Sequence, residues 1–418
     1  MAFSSLHLDD ALLRAVAQRA YLTPTAIQQA VIPLILQGSD VIASAQTGSG
    51  KTAAFCLPIL HNFLKNPVST PKKASVLILV PTRELATQVG ETMRSLAQYL
   101  ARPIKLAVLF GGVSLNPQML HLRGGADIVI ATPGRLLDLV SKNAVSLAAV
   151  TTLVLDEADR LLELGFADEL AQLLALLPSQ RQQLLFSATF PAALDVLTER
   201  LTEGRTTAPV RVEVAATATG KPDIVQRAIV VDTANRTQLL RHLIETQKWD
   251  RVLVFAASRY TAELVAVKLR KARIAAEPFH GELSQGKRTQ VLADFKASRV
   301  KVVVATDVAA RGLDISQLPA VINYDLPRSS DDYTHRIGRT ARAGASGIAI
   351  SFISTGNEAH FRLIENRHGI TLEREHIAGF EPADTPALPE PAAGGGIKGK
   401  KPNKKDKLRA LAALKSAD

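Results

Sequence analysis

The sequence predicts an α/β fold with two similar domains, each built on a parallel sheet. Short, nearly all-apolar runs alternate with longer helical patterns in the first half of the chain, and the alternation restarts after a Thr/Ala/Gly-rich stretch at 215–222. Strands that are apolar at every position are typical of parallel sheets covered by helices on both faces. With 418 residues, 47% of them hydrophobic, the chain is too long for one typical domain and can fill two cores.

The elements follow one another in the order expected of β–α–β units. Helical patterns such as those at 83–101 and 167–177 separate the strand candidates. We predict a first domain at 1–207, a linker at 208–224, a second domain at 225–378 and a disordered tail at 379–418. The strand candidates are 41–43, 76–80, 106–110, 128–131, 153–155 and 184–186 in the first domain, and 229–231, 252–255, 302–305, 321–324 and 348–352 in the second.

The tail is Pro/Ala/Gly-rich and then lysine-rich, a composition typical of disorder. Residues 398–418 hold eight Lys or Arg and two Asp, a net charge of +6 out of +11 for the whole chain. A basic chain suits a polyanion, and nucleic acid is the usual one. A lysine-rich solubilising tail explains the charge equally well, so charge alone leaves both interpretations open.

Cysteine content and hydropathy indicate the compartment. The single cysteine, Cys56, excludes an internal disulfide and fits a reducing environment. Residues 1–10 lack the basic and apolar regions of a secretory signal. No apolar run reaches the roughly 18 residues that span a bilayer. We therefore expect a cytoplasmic protein that does not enter a membrane.

Residues 45–52, Ala-Gln-Thr-Gly-Ser-Gly-Lys-Thr, predict a phosphate-binding loop. The segment follows a strand candidate and leads into a helical run at 53–64, the context that such a loop requires. Glycines let backbone N–H groups turn towards a polyphosphate, Lys51 can reach the outer phosphates, and the Thr52 hydroxyl can bind Mg²⁺. A glycine-rich turn without a ligand is the alternative. The predicted nucleotide contacts are Ala45, Gln46, Thr47, Gly48, Ser49, Gly50, Lys51 and Thr52.

An acidic pair follows the strand candidate at 153–155. Asp156 can hold Mg²⁺, directly or through water, and Glu157 can orient and deprotonate an attacking water. An acidic helix N-terminus, favourable for the helix dipole, is the alternative interpretation. The presence of Lys51 and Thr52 in the same domain favours hydrolysis of a nucleoside triphosphate.

Further short motifs follow in order between Phe3 and about Phe352. In the first domain they are Phe3, 21–28 (Tyr-Leu-Thr-Pro-Thr-Ala-Ile-Gln), 45–52, 81–86 (Pro-Thr-Arg-Glu-Leu-Ala), 111–112 (Gly-Gly), 132–135 (Thr-Pro-Gly-Arg), 156–159 (Asp-Glu-Ala-Asp) and 187–189 (Ser-Ala-Thr). In the second they are 254–255, 280–281 with Gln285 and Arg288, 305–307 running to 311–314, and 335–342 (His-Arg-Ile-Gly-Arg-Thr-Ala-Arg). This set resembles the DEAD-box family of ATP-dependent RNA helicases, and details at 44–46, 110–114 and 161–166 are most similar to its bacterial RhlE subgroup.

The resemblance implies two tandem RecA-like domains that bind ATP, Mg²⁺ and RNA across the cleft between them. Phe3, Tyr21 and Gln28 would form the adenine-reading element, in which the Gln28 amide can both donate to and accept from the base and Phe3 can stack on it. Arg339 and Arg342 would be arginine fingers, with Asp314 contacting the nucleotide from the same side. Hydrolysis would be coupled to RNA through His335, Asp159, Ser187, Thr189 and Arg311.

The RNA contacts implied by the resemblance lie on a different face. Few aromatic residues lie among these motifs, so sequence-independent contacts to the backbone and 2′-OH are expected. Glycines let backbone amides approach phosphates, and arginines pair with them. The predicted contacts are Pro81, Arg83, Gly112, Thr132, Gly134 and Arg135 in the first domain and Gly281, Gln285, Arg288, Thr306 and Asp307 in the second.

The chain departs from the family pattern at a few positions. Ala45 stands where the general phosphate loop has glycine, Ala26 replaces a proline, and Ala20 stands where glycine is common. Ala341 lies between the two predicted fingers where many members have glycine. If that position needs a positive φ, alanine costs on the order of 1 kcal/mol.

We therefore predict a monomeric ATP-dependent RNA helicase that unwinds or remodels duplexes locally and non-processively. An ATP-gated RNA clamp or assembly platform uses the same motifs, so the sequence leaves that alternative open. A DNA translocase is disfavoured by Gln28, the 156–159 tetrad and Gln285 with Arg288. By resemblance to bacterial relatives, ribosomal precursors or the RNA-decay machinery are the expected settings.

Overall fold

The computed structural model describes residues 2–45, 48–65, 71–203, 207–214, 224–310, 315, 318–340 and 346–382. Two α/β lobes follow one another along the chain, the first ending at residue 214 and the second starting at residue 224. Both belong to one unit, Met1–Glu381. Within the described residues, no helix combines the length and the apolar character needed to cross a membrane.

The first lobe is built on a parallel seven-stranded sheet. Its strands are β1 (Val41–Ser44), β2 (Val76–Leu79), β3 (Leu106–Leu109), β4 (Ile128–Ala131), β5 (Thr152–Leu155), β6 (Gln182–Ser187) and β7 (Val210–Glu213). The strand order is β3-β4-β2-β5-β6-β1-β7, and every neighbouring pair is parallel. Because parallel strands end at the same edge, the residues that follow β1, β2, β4, β5 and β6 gather along one side of the sheet.

Helices cover both faces of this sheet. Alternate residues of β2 enter different cores: Val76 and Ile78 pack with α1–α4, whereas Leu77 and Leu79 pack with α6–α9. This two-sided burial explains why the central strands are apolar at every position. The helices are a 3-10 helix (Phe3–Leu6), α1 (Asp10–Gln18), α2 (Ala26–Leu36), α3 (Lys51–Lys65), α4 (Arg83–Ala97), α5 (Leu115–His121), α6 (Pro133–Ser141), α7 (Ala158–Glu163), α8 (Ala167–Ala175) and α9 (Ala192–Thr202).

The second lobe repeats the architecture. Its strands are β8 (Ile224–Val230), β9 (Val252–Phe255), β10 (Ala276–Phe279), β11 (Val302–Ala305), β12 (Ala320–Asn323), β13 (Gly347–Ile353) and β14 (Arg374–Glu375). They are all parallel in the order β10-β11-β9-β12-β13-β8-β14, so each strand occupies the place of its counterpart in the first sheet. The predicted fold class, two α/β domains with parallel sheets, is confirmed.

Two cores again flank the second sheet. Val302 and Val304 of β11 face one core, and Val303 and Ala305 face the other. The helices of this lobe are α10 (Arg236–Gln247), α11 (Arg259–Lys271), α12 (Gln285–Lys296), α13 (Asp307–Ala310), α14 (Ser330–Ile337) and α15 (Glu358–His368).

Three edge strands differ from the sequence prediction. β7 lies inside the predicted linker 208–224 and pairs with β1, so the linker assignment is wrong for Val210–Glu213. In β7 valines alternate with charged residues, because one face of this edge strand meets solvent. β10 and β14 were not predicted either, since they carry Pro278 and charged residues. The helix expected at 83–101 ends at Ala97. The stretch 215–222 and the tail from 383 onwards lie outside the described residues.

Candidate active site

The turn between β1 and α3 forms the phosphate loop. Gly48 and Gly50 have φ of +83° and +95°, a region that favours glycine. A Cβ on Gly50 would lie 2.5 Å from Nε2 of Gln28. Lys51 begins α3 with 7% of its surface exposed, and its Nζ donates to the carbonyl of Ala45 at 2.7 Å. The loop therefore holds a buried cation at a helix N-terminus, where a phosphate is also favoured.

A cleft of about 690 Å³ lies beside this loop. Lys51, Thr52, Asp156 and Glu157 of the first lobe line it together with Arg339 of the second lobe. Its volume falls in the range of pockets for drug-sized ligands. The residues of both lobes thus meet at one ligand-sized site. The rest of the lining consists of Arg19, Ala20, Tyr21, Leu22, Thr23, Thr25, Gln28, Gly48, Gly50, Ala53, Leu85, Gln88, Glu91 and Thr92.

The acidic pair follows β5 at the wall of the cleft. Asp156 is 2% exposed, and burial raises its pKa to about 7 although the charge of Lys51 opposes the shift. Burial also raises the pKa of Glu157, while Lys51 and Arg339 oppose it. Glu157 has a left-handed backbone with φ of +50°, which costs a non-glycine residue roughly 1–2 kcal/mol. A carboxylate with a raised pKa is suited to accept a proton near neutral pH.

Gln28 connects the predicted adenine element to the phosphate loop. Its Oε1 accepts from the N–H of Thr25 at 3.0 Å, and its Nε2 donates to the carbonyl of Gly50 at 3.1 Å. The side chain is 4% exposed. Both functions of the amide are therefore engaged within the protein, and contact with a base requires exchange of these bonds.

Tyr21 lines the cleft, but Phe3 does not. Phe3 is 5% exposed and belongs to the core shared with α1–α4, so the expected stacking of Phe3 on the base is not seen. The 3-10 helix that carries it points this apolar side chain inwards. Arg19, which the sequence did not single out, lies 5.3 Å from the centre of the Tyr21 ring and donates from Nε to its hydroxyl at 3.1 Å. Ala20 between them has φ of +54°.

The predicted coupling residues lie between the acidic pair and the second lobe. Oδ2 of Asp159 accepts from the backbone N and the hydroxyl of Thr189 at 3.0 and 2.8 Å. The Ser187 hydroxyl donates to the Thr189 carbonyl at 2.6 Å. Burial lowers the pKa of His335 to about 4, and the charge of Arg160 adds to the shift, so this imidazole is neutral at physiological pH.

Predicted RNA contacts of the first lobe cluster at the ends of β2, β3 and β4. Gly112 has φ of +76°, and a Cβ there would collide with the Arg83 guanidinium. Arg135 is 9% exposed and donates from Nη2 to the Val113 carbonyl at 2.8 Å. Its Nη1 has no hydrogen-bond partner among the residues that the structure covers. Pro81, Thr132 and Gly134 lie at the same edge of the sheet, beside the starts of α4 and α6.

In the second lobe, two predicted RNA contacts are engaged with protein groups. Arg288 is 2% exposed, and its guanidinium bonds Oε1 of Glu84 in the first lobe at 2.7 Å. Arg336 bonds both carboxylate oxygens of Asp307 at 2.6 and 2.7 Å. Gln285 begins α12. Gly281 follows β10 after one residue, and the Thr306 N–H donates to Phe279 at 3.1 Å.

Among the described residues, two ion pairs join the lobes, and the sequence had assigned a role to Arg288 but not to the other three members. The first joins Arg288 to Glu84, and the second joins Arg160 to Asp332 at 3.5 Å. Glu84 lies inside the 81–86 motif, and Arg160 directly follows the 156–159 tetrad. Their position in or beside a motif could have indicated a functional role. Their partners lie more than 150 residues away along the chain, so only the folded structure reveals the pairs.

Several predicted site residues lie outside the described part of the chain. They are Gln46, Thr47, Arg311, Asp314 and Arg342, together with the substituted position Ala341.

Comparison with known families covers both lobes. The family DEAD/DEAH box helicase matches residues 25–197, and the family Helicase conserved C-terminal domain matches residues 235–344. These matches fall on the first and second lobes respectively.

Curated relatives align along most of the chain. The ATP-dependent RNA helicase DeaD of Buchnera aphidicola is 37% identical over 90% of this chain and 61% of its own length. The DEAD-box ATP-dependent RNA helicase CshA of Bacillus cereus is 37% identical over 94% of this chain and 71% of its own length. The chain thus spans less than two thirds of the first relative and slightly more than two thirds of the second.

Solved structures show the same two-lobed fold. Dbp5 of S. cerevisiae bound to RNA and ADP BeF3 superimposes with a TM-score of 0.78 at 29% identity, covering 90% of this chain and 95% of that chain. A variant of the same yeast protein bound to Nup159, a Gle1 variant, IP6 and ADP gives a TM-score of 0.60, covering 89% and 96%. The prediction of tandem RecA-like domains is confirmed, while placement in the RhlE subgroup stays a prediction. The chain belongs to the DEAD-box family of ATP-dependent RNA helicases.

Proposed function

We propose that this chain couples ATP binding and hydrolysis to local, non-processive unwinding or remodelling of RNA duplexes. One observation carries the proposal: Arg339 of the second lobe lines the same cleft as Lys51, Asp156 and Glu157 of the first. A site assembled from two lobes is complete only when the lobes are closed. Nucleotide chemistry is therefore tied to lobe closure, which any ligand spanning both lobes can control.

The nucleotide would be held by groups that already converge. Lys51 exchanges the Ala45 carbonyl for an outer phosphate, and the glycine turn offers backbone N–H groups beside it. Glu157, with its raised pKa, accepts the proton of the attacking water. Arg339 supplies positive charge from the opposite wall, a contribution worth ~10³-fold or more in related phosphoryl transfers.

The donor set of the cleft also fits Mg²⁺ carried by the nucleotide. Asp156 and Thr52 offer one carboxylate and one hydroxyl, which matches an ion that keeps several waters and binds through few protein ligands and the phosphates. No cluster of three acidic, histidine or cysteine ligands exists within the described ranges, so a metal site made of protein ligands alone is not indicated. When bound, Mg²⁺ neutralises charge on the phosphates.

RNA would bind at the same carboxyl edge of the first sheet, beside the residues that follow β2 and β4. Arg83 and Arg135 lie there, and Nη1 of Arg135 is a donor without a hydrogen-bond partner in the described structure. The TM-score is 0.78 against the yeast protein bound to RNA and ADP BeF3 and 0.60 against its variant bound to Nup159, a Gle1 variant, IP6 and ADP, which supports an arrangement of the lobes like that of the RNA-bound protein. When the two lobes close on RNA, they would bind one strand in a bent conformation and so separate a short stretch of duplex.

The test is steady-state ATPase activity without nucleic acid, with RNA and with DNA, using Lys51→Ala as the blank and Arg339→Ala as the split-site variant. We expect strong stimulation by RNA alone and loss of that stimulation in Arg339→Ala. Equal rates with and without RNA, or an unaffected Arg339→Ala enzyme, would remove the basis of the proposal. Duplex unwinding measured beside RNA retention with a non-hydrolysable ATP analogue separates a helicase from an ATP-gated clamp.

The cellular partners, oligomeric state and location of the protein are proposals that rest on the sequence. We expect it to act on ribosomal precursors or with the RNA-decay machinery, as a monomer in the cytoplasm. Size-exclusion chromatography with light scattering checks the monomeric state directly.

A further inference from the structure

Arg160 occupies the junction between the acidic motif and the second lobe. Its side chain is 6% exposed. Nη1 bonds Oε2 of Glu163 at 2.8 Å within α7 and lies 3.5 Å from Oδ1 of Asp332 in α14. One guanidinium therefore faces a carboxylate of its own lobe and a carboxylate of the other lobe.

The side chain of Asp332 is held in place by hydrogen bonds within the second lobe. Ser329 caps α14: its hydroxyl accepts from the N–H of Asp332 at 3.1 Å and donates to Oδ2 of Asp332 at 3.0 Å. The other carboxylate oxygen, Oδ1, lies 3.5 Å from Nη1 of Arg160. Because the capping bonds lie within the second lobe, the acceptor is in place before the lobes meet.

Arg160 is also tied to the hydrolysis machinery. Its backbone N–H donates to Oδ1 of Asp159 at 3.0 Å, and the other oxygen of Asp159 holds Thr189. Its positive charge opposes the rise in the pKa of Glu157 and contributes to the lowered pKa of His335. Arg160 thus links the acidic motif of the first lobe to the junction with the second lobe.

We propose that Arg160 and Asp332 form a reversible interlobe latch that stabilises the closed state and so positions Arg339 at the nucleotide cleft. Arg160 is a positioning residue in this role. When the lobes part, Glu163 still neutralises Arg160, so opening leaves no unpaired buried charge in the first lobe. The latch is separate from the other interlobe pair, which joins Arg288 to Glu84.

The inference rests on the proposed function, because it assigns the latch to the RNA-driven closing step. The first variant is Asp332→Asn, which keeps the size of the side chain and can still bond Ser329. We expect the RNA concentration for half-maximal ATPase to rise about fivefold, the scale of a partly exposed ion pair. The kcat at saturating RNA should stay within about twofold, since neither residue touches the reacting atoms.

Two further variants test the pairing itself. In an Arg160→Gln background, Asp332→Asn should have no additional effect, because the interaction is already absent. The exchanged pair Arg160→Asp with Asp332→Arg should recover part of the lost RNA response. Glu163→Gln is the matched control: it removes the partner within the first lobe, and the half-maximal RNA concentration should not rise.

A direct readout is the distance between fluorophores on the two lobes. Leu120→Cys and Leu363→Cys are suitable positions because both side chains are exposed, whereas Cys56 is buried and will not be labelled. Asp332→Asn should shift the labelled protein towards the open state at a fixed RNA concentration.

The outcomes separate the two proposals. If wild-type ATPase responds to RNA but Asp332→Asn changes neither the half-maximal RNA concentration nor the fluorophore distance, the latch is wrong and the proposed function stands. If the wild-type enzyme shows no response to RNA, the proposed function fails first. An equal loss in Glu163→Gln would assign the effect to the fold of α7 and overturn the latch.

Discussion

Replacing Glu84 by glutamine should weaken closure of the lobes without disturbing either fold. Glu84 is 7% exposed and its Oε1 lies 2.7 Å from the guanidinium of Arg288, which is 2% exposed. Arg288 is anchored independently in the second lobe, since its Nη1 donates to the His280 carbonyl at 3.0 Å and its Cζ lies 4.4 Å from the centre of the Phe279 ring. The interlobe bond is thus the part of this site that the substitution alters.

The magnitude follows from the type of bond. Glutamine still presents an Oε1 acceptor, so a charge-assisted bond of about 1.5–3 kcal/mol becomes a neutral bond of about 0.5–1.5 kcal/mol. The expected loss of roughly 1–1.5 kcal/mol corresponds to about tenfold in the closing equilibrium. Both lobes keep their own contacts, so their unfolding should change little.

The assay is RNA-stimulated ATPase over a series of RNA concentrations. The half-maximal RNA concentration of Glu84→Gln should rise about tenfold with kcat nearly unchanged. Asp168→Asn, which removes an exposed carboxylate of the same lobe, is the control and should match wild type. A shift of less than twofold in Glu84→Gln, with thermal unfolding equal to wild type, would refute the view that this pair stabilises closure.

Three further predictions concern the cleft and its surroundings. Gly50→Ala places a Cβ 2.5 Å from Nε2 of Gln28 at a φ of +95°, so the ATPase rate should fall at least about tenfold while circular dichroism stays unchanged. An ATPase rate within about twofold of wild type would contradict this. Burial lowers the pKa of His335 to about 4 in the folded protein, against 6.5 in the unfolded chain, so the unfolded chain binds more protons and the free energy of unfolding should fall, by up to roughly 3 kcal/mol, as pH drops from 6.5 to 4. Denaturant unfolding of His335→Gln should show a shallower pH slope in that window, and an identical slope would count against burial of the neutral ring. Ala20 has a left-handed φ of +54°, which glycine adopts without strain. Ala20→Gly should therefore increase the free energy of unfolding by roughly 0.5–1 kcal/mol and raise the melting temperature. A lower melting temperature would mean that the extra entropy of glycine in the unfolded chain outweighs the strain.

Central strands were predictable from the sequence because burial on both faces leaves only apolar residues. The runs at 128–131 and 302–305 became β4 and β11 with the same bounds. Of the four edge strands, only the apolar β3 was predicted, whereas β7, β10 and β14 carry charged residues or a proline and were missed. Val210–Glu213 alternates apolar and charged residues, and Ala276–Phe279 contains a proline that only an edge strand tolerates.

The candidate site was predictable as a set of residue types but not as a set of contacts. Lys51, Asp156, Glu157 and Arg339 do line one cleft. The burial of Phe3 depends on how the N-terminal 3-10 helix packs, and no local pattern reveals it. Likewise, a basic residue such as Arg288 looks like an RNA contact in sequence, whereas its carboxylate partner lies 204 residues away in the other lobe.

The matching strand orders of the two sheets point to the history of the chain. Lys51 begins the helix after the first strand of its sheet, and Asp156 follows the fourth strand in the sheet order; Arg236 and Asp325 hold the corresponding places in the second lobe. There the cation and the carboxylate bond each other directly, Nη1 to Oδ1 at 2.9 Å. Duplication of one ancestral domain would leave this pattern. The same place in the fold thus carries the nucleotide cleft in the first lobe and an internal ion pair in the second.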